Sequence, residues 1–279
     1  MRGFGERLHE AVVERGRICV GLDPHPSLLT RWGLTDDVRG LAAFAGTVVE
    51  AVGDRVAVVK PQSAFFERFG AAGVGVLEST IRQLRSRGAL VLLDVKRGDI
   101  GSTAQAYADA YLDAAAPMAV DAITASPFLG FGSLRPMVDT ALRQGAGVFV
   151  LALTSNPEGA AVQRARTAAG STVAGALLDE IAQVNEGVKP WGSIGAVIGA
   201  TVGDVGYDLT RVNGPLLAPG LGAQGATVAD LHRIFGDALG LVLPTWSREV
   251  LAEGPSLSAI RSAVDRLRSD VNRVFSGVD

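Results

Sequence analysis

The chain has 279 residues, 48% of them hydrophobic and 20% charged, with a formal net charge of −3. That length is ample for a sizeable core, since a chain near this size buries about three quarters of the surface it exposes when unfolded. The balanced charge, without a dense Lys/Arg block, argues against nucleic-acid binding. No apolar run approaches the roughly 18 residues of a membrane span, and the lone Cys19 rules out an intramolecular disulfide or a thiolate metal cluster.

Residues 1–16 mix Arg2, Glu6, Arg7, Glu10, Glu14 and Arg15 with Phe4, Leu8 and Val12. They read as a short amphipathic helix and lack the uninterrupted apolar stretch of a signal peptide. With a single cysteine, a reducing, cytoplasmic setting is the default expectation. Short apolar runs then predict strands over residues 17–22, 55–60, 89–96, 119–124, 147–154, 193–200, 215–219 and 239–244. Helical patterns fall between them over 37–52, 73–87, 134–143, 171–186 and 228–235, with a final helix over 255–275.

A run such as Ala89-Leu90-Val91-Leu92-Leu93 is too continuous for a half-exposed strand and suits a parallel strand buried on both faces. Eight β-α units, with no linker or internal repeat, point to one α/β domain over 1–279, a (β/α)8 TIM barrel. An open doubly wound sheet has the same alternation, and periodicity does not separate the two. The longest non-periodic segment, 155–170, is either an active-site loop or a solvent-exposed insertion.

In a barrel, chemistry belongs at the C-terminal ends of the strands. The third predicted strand ends in Asp94-Val95-Lys96, followed by Arg97-Gly98-Asp99. Strand side chains alternate, so Asp94 and Lys96 share a face at the rim. The second strand ends in Lys60 and the first in Asp23. Only Lys60, Lys96 and Lys189 are lysine in a chain of 26 Lys+Arg. An isolated Asp94–Lys96 pair would be an ordinary rim salt bridge. Alternating charges at neighbouring strand ends fit a functional cleft better, because buried ions are costly unless mutually paired.

A second constellation follows the seventh strand, where Pro219-Gly220-Leu221-Gly222-Ala223-Gln224-Gly225 leads into a helix. It spells G-x-G-x-x-G too near the end of the chain for a dinucleotide-binding half-domain. Glycines there instead let backbone N–H groups approach an anion, with a helix N-terminus behind them. The eighth strand leads into Arg248, suited to a bidentate phosphate grip. The bland alternative is a plain turn and a surface arginine. His9, His25 and His232 lack metal-ligand spacing, and Cys19 reads as core.

Together, Asp94-x-Lys96-x-x-Asp99-Ile100, Lys60, the 219–225 loop and Arg248 make the chain resemble the orotidine 5′-phosphate decarboxylase family, in its longer bacterial subgroup. The resemblance runs over nearly the whole length. It implies a homodimer with shared active sites, no metal or organic cofactor, orotidine 5′-phosphate as substrate and UMP as product. It implies a charge array of Lys60, Asp94 and Lys96, completed by Asp99 from the other subunit, with Thr103 crossing likewise. Asp23 and Lys60 would hold the ribose, Ser155 and Gln224 the pyrimidine or its approach, and Gln224 and Arg248 the phosphate beside Pro219 and Gly220. Ser155 stands beside Thr154, which leaves a one-residue choice at that site. Two alternatives accompany this reading. One is a Mg-dependent sugar-phosphate decarboxylase or aldolase of the same superfamily, which carries a carboxylate where this chain has Lys60. The other is a non-catalytic phosphate-binding barrel.

Overall fold

The computed structural model describes residues 2–222 and 225–276. In chain order its strands are β1 (Cys19–Leu22), β2 (Val58–Pro61), β3 (Leu90–Arg97), β4 (Ala122–Ala125), β5 (Gly147–Leu153), β6 (Ile194–Ile198), β7 (Leu216–Ala218) and β8 (Val242–Trp246). Each pairs in parallel with its sequence neighbours, and β8 closes on β1 through Cys19 opposite Thr245. The closed ring is a TIM barrel, which resolves the choice against an open sheet.

The longer helices are α1 (Phe4–Arg15), α3 (Val38–Val52), α5 (Gly70–Ser86), α6 (Gly101–Leu112), α7 (Arg135–Gln144), α9 (Val173–Val184), α10 (Val228–Phe235) and α12 (Leu257–Phe275). Four short ones, α2 (Pro26–Arg31), α4 (Ala64–Glu67), α8 (Ala160–Gln163) and α11 (Arg248–Leu251), follow strand ends at the C-terminal rim. The α6 helix was not among the expected elements. Its sequence, GSTAQAYADAYL, is rich in alanine and carries little amphipathic contrast. Lys189 is exposed and lies beyond Asn185, the C-cap of α9. It is therefore outside the last turn, where a cation feels the helix dipole.

Inside the barrel, Cys19, Val58, Leu92, Ala122, Phe149, Val197, Leu217 and Leu243 pack with Phe4, Leu8 and Val12 of α1. The first helix thus stoppers the N-terminal end of the barrel. Phe4 meets Phe149 edge-on with ring centroids 5.9 Å apart. Burial pushes the Cys19 thiol up to about 12, so it sits there as a neutral packing group.

Along four strands the residue two further on, which shares the same inward parity, is polar. Val58 gives way to Lys60, Leu92 to Asp94, Ala122 to Thr124 and Leu243 to Thr245. The interior therefore turns from apolar to charged over one strand repeat.

Gly147, at the start of β5, has no room for a side chain, because a Cβ there would run into the Phe4 ring. Gly147→Ala is expected to destabilise the fold by about 1–3 kcal/mol, the usual cost of overpacking a tight core. Chemical denaturation at neutral pH measures it.

Candidate active site

The charge cluster stands at the C-terminal mouth of the barrel. Asp94 is 9% exposed and takes a cation on each carboxylate oxygen. Lys60 Nζ donates to Oδ2 at 3.1 Å, and Lys96 Nζ donates to Oδ1 at 2.6 Å. Thr124 Oγ1 also donates to Oδ1, at 2.8 Å. Lys60 is itself buried, whereas the Lys96 side chain keeps 46% of its surface exposed. One ammonium is thus sealed in, while the other has open space above it.

Desolvation is the largest influence on Asp94 and would raise its carboxyl. The charges of Lys60 and Lys96, with the hydrogen bonds from Lys96 and Thr124, outweigh it and hold the group well below the usual carboxylate range. For Lys60 desolvation is again largest and would lower the ammonium. Asp94 and then Asp23 overcome it, so the proton is held more tightly than in a free lysine.

Simple alternation placed Lys96 on the face of Asp94, and the pairing is as expected, but the backbone reaches it differently. Lys96 has φ +44°, in the left-handed region that side chains disfavour. The β3–β4 register shifts between Leu93 and Arg97. The Lys96 N–H is taken by Thr124 Oγ1 at 2.9 Å. Thr124, 1% exposed, is a site residue that the sequence reading missed. A threonine in a buried strand passes for β-branched filler, and only its inward parity beside Asp94 marks it out.

Asp99 follows β3 and accepts from the N–H of Ile100 at 2.8 Å. Among the described residues no hydrogen bond or ion pair joins it to the cluster of its own chain. Thr103 is exposed in the first turn of α6.

Asp23 lies just beyond β1, and its Oδ1 is buried without a hydrogen-bond partner, as is Ser247 Oγ after β8. A Cβ on Gly21 would stand 2.8 Å from Ser247 Cβ and 3.2 Å from Asp23 Oδ2, so the bare glycine lets the two strand ends approach. Buried polar atoms without partners are uncommon and mark positions where a ligand or water completes the bonding.

Ser155 follows β5 and is exposed, with its backbone packed beside Gly199 after β6. Thr154 Oγ1 donates to Asn156 Oδ1 at 2.6 Å and accepts from Gln163 Nε2 at 2.7 Å. Those bonds tie the Thr154 side chain to the loop. Residues 155–170 contain α8, and Arg166 within them bridges to Thr172 just beyond, so the segment is folded and stands on the side of the mouth.

Pro219, Gly220 (φ +100°) and Gly222 (φ +69°) follow β7, while Gln224 lies outside the described residues. The helix behind this loop begins with a cap made by its own residues. At the start of α10, Thr227 and Asp230 cap one another, and the backbone N–H of Thr227 holds Asp230 down to about 2. Arg248 is exposed at the start of α11 and lines a cavity of about 190 Å³ with His25, Ser27, Leu28, Arg31 and Ala252.

A larger cavity, about 720 Å³, lies at the opposite end of the barrel, beside Arg15, Arg17, Arg55 and Arg268. Arg17 and Arg268 donate there to backbone carbonyls of Gly240 and Arg55. The cavity is remote from the strand ends that carry the ion cluster.

The fold and the mouth define a class, a (β/α)8 barrel with a lysine–aspartate–lysine cluster and a glycine-rich turn followed by an arginine. Residues 16–263 match the family model described as Orotidine 5′-phosphate decarboxylase / HUMPS family, and the chain belongs to that family. An orotidine 5′-phosphate decarboxylase of Salinispora tropica is 68% identical over 277 residues, which is 99% of this chain and 100% of the relative. A crystal structure from Streptomyces avermitilis superposes with a TM-score of 0.97 at 56% identity, covering 99% of this chain and 97% of that one. The OMP decarboxylase of Leishmania donovani gives 0.77 at 30% identity, covering 99% and 100%.

The two-sided pairing of Asp94 has a sign that can be measured. Because its carboxyl is lowered, the stabilisation is complete above the ordinary carboxylate range and is lost as pH falls toward the folded value. Asp94→Ala leaves the Lys60 ammonium buried against Asp23 alone. It should cost about 3–5 kcal/mol at pH 7, as for other broken buried pairs. With its main counter-charge gone, burial works against the Lys60 ammonium, so the deficit should narrow as pH rises from 7 toward 10. Urea denaturation across that range tests both parts.

Proposed function

We propose that this protein is a carboxy-lyase that converts orotidine 5′-phosphate to UMP and CO2. One observation carries the reading, the Lys60–Asp94–Lys96 cluster at the barrel mouth with one ammonium exposed above a buried ion pair. Loss of CO2 from C6 of the pyrimidine leaves an electron pair in the ring plane with little delocalisation. Catalysis then requires a positive charge already in place beside C6, followed by a proton. Lys96 meets both needs. Its ammonium faces the developing carbanion, the C6–carboxyl bond breaks with its electrons left on C6, and the ammonium proton moves to C6. An arginine would supply the charge but would be a poor acid.

In this reading Asp94 holds Lys96 in place, and Asp23 and Lys60 bind the ribose hydroxyls. The unpartnered Oδ1 of Asp23 supports that role. Ser155 and Gln224 approach the pyrimidine. Gln224 and Arg248, beside Pro219 and Gly220, bind the phosphate, whose binding energy is available to close and dry the site. The single barrel domain spans 1–279 and works in the cytoplasm without a metal or organic cofactor.

The enzyme is a homodimer, with Asp99 and Thr103 of each chain completing the other's site. Ile100, Phe128 and Leu129, which are 63%, 80% and 53% exposed beside the ends of β3 and β4, support a partner surface there. The missing link between Asp99 and its own cluster supports it too.

Loss of orotidine 5′-phosphate, followed by absorbance in excess chelator, tests the activity. The expected result is turnover unaffected by chelation, and no CO2 release with tight UMP binding would instead indicate a binding protein. Lys96→Ala should lower turnover by at least about 10⁴-fold while the protein stays folded, and near-normal turnover would remove Lys96 as proton donor.

Asp94→Asn and Asp99→Asn chains, each inactive alone, should regain activity when mixed. Exchange of subunits produces one intact site per mixed dimer. Failure to recover in a mixture shown to exchange would exclude the shared site.

A further inference from the structure

Lys96 and Asp94 are joined a second time, through a residue on the neighbouring strand. The Thr124 hydroxyl has a single hydrogen, which it donates to Asp94 Oδ1 at 2.8 Å. Its lone pair accepts the backbone N–H of Lys96 at 2.9 Å. Because the ionised Asp94 only accepts and the amide only donates, the direction of this chain has no alternative. Thr124 itself is closed to water, being 1% exposed.

The amide that Thr124 receives belongs to the residue with φ +44°. It lies within the β3–β4 register shift between Leu93 and Arg97. A backbone held in a sparsely populated conformation relaxes unless its surroundings fix it, and here the fixing group is a side-chain hydroxyl. The same hydroxyl fixes the carboxylate oxygen to which Lys96 Nζ donates at 2.6 Å. Both ends of the lysine side chain, backbone and ammonium, are therefore referred to one atom, Thr124 Oγ1.

We propose that Thr124 is a positioning residue for the decarboxylation, holding the strained Lys96 backbone and the Asp94 carboxylate in a single register so that the ammonium keeps its place. The proposal rests on the orotidine 5′-phosphate decarboxylase reading. Thr124 acts through Lys96 and Asp94, so its loss should act on the chemical step and leave substrate binding nearly intact, since misplacing a reacting group costs rate more than affinity.

The test uses the full chain with Thr124→Val, Thr124→Ser and Thr124→Ala. Valine keeps the shape and removes the hydroxyl. Serine keeps the hydroxyl, and alanine differs from serine only by that oxygen. Expected for Thr124→Val is a fall in kcat of about 10- to 100-fold with KM within about 3-fold of the parent, and UMP affinity unchanged. Thr124→Ser should recover to within about 3-fold of the parent kcat, and Thr124→Ala should not.

Should the valine variant fail to fold, the serine–alanine comparison carries the test alone. Equal kcat in Thr124→Ser and Thr124→Ala, or a valine variant with parental kcat, would overturn the proposal while leaving the activity standing. So would a loss expressed wholly in KM. An inactive parent chain would instead overturn the functional reading on which the proposal rests.

Discussion

A lysine ammonium buried inside a closed barrel is the constraint around which this molecule is arranged. Lys60 is almost wholly withdrawn from the water that would hydrate its charge, so a carboxylate must be held beside it. Asp94 fills that need with one oxygen and keeps the other free for a second cation and a hydroxyl. A carboxylate that faced Lys60 alone would make a structural ion pair. Shared between a sealed lysine and an accessible one, it makes an electrostatic platform whose far side addresses whatever enters the mouth.

The barrel makes the platform possible by changing the character of its interior over a single strand repeat. Below, Cys19, Val58, Leu92, Ala122 and Phe149 form an apolar filling. One inward position higher stand Lys60, Asp94 and Thr124. The low-dielectric floor strengthens every charge interaction directly above it. Rigid strands, rather than loops, carry the three groups, so their separations are fixed by sheet geometry before any ligand arrives. The more peripheral groups, Ser155, Arg248 and the turn after β7, sit on loops and short helices.

The sequence made much of this legible, for reasons that differ from residue to residue. Continuous apolar runs are a strong signal for buried parallel strands, and all eight were located, although the strand begins three residues later than the apolar pattern in β2, β4 and β8. The Asp94–Lys96 pair was visible because two-residue spacing puts side chains on one face. The left-handed turn of Lys96 was not, since nothing in Val95-Lys96-Arg97 announces a positive φ. Closure of the barrel, rather than an open sheet, depends on β8 meeting β1, a contact between chain segments more than two hundred residues apart that leaves no local trace. The α6 helix was hidden by its alanines, and the self-capped start of α10 by the expectation that glycines before a helix leave its N-terminus open.

The stopper formed by α1 has a bearing on how the cluster exchanges protons with its surroundings. Phe4, Leu8 and Val12 close one end of the cylinder, and among the described residues the layer above them is built from Cys19, Val58, Leu92, Ala122 and Phe149, none of which carries a hydroxyl or carboxylate. Hydrogen ions therefore reach and leave the buried lysine and its aspartate only from the opposite end, through the opening where Lys96 stands. A molecule seated in that opening is at once the cargo and the cork, and for as long as it stays the vessel's internal acid–base inventory is isolated from the bulk.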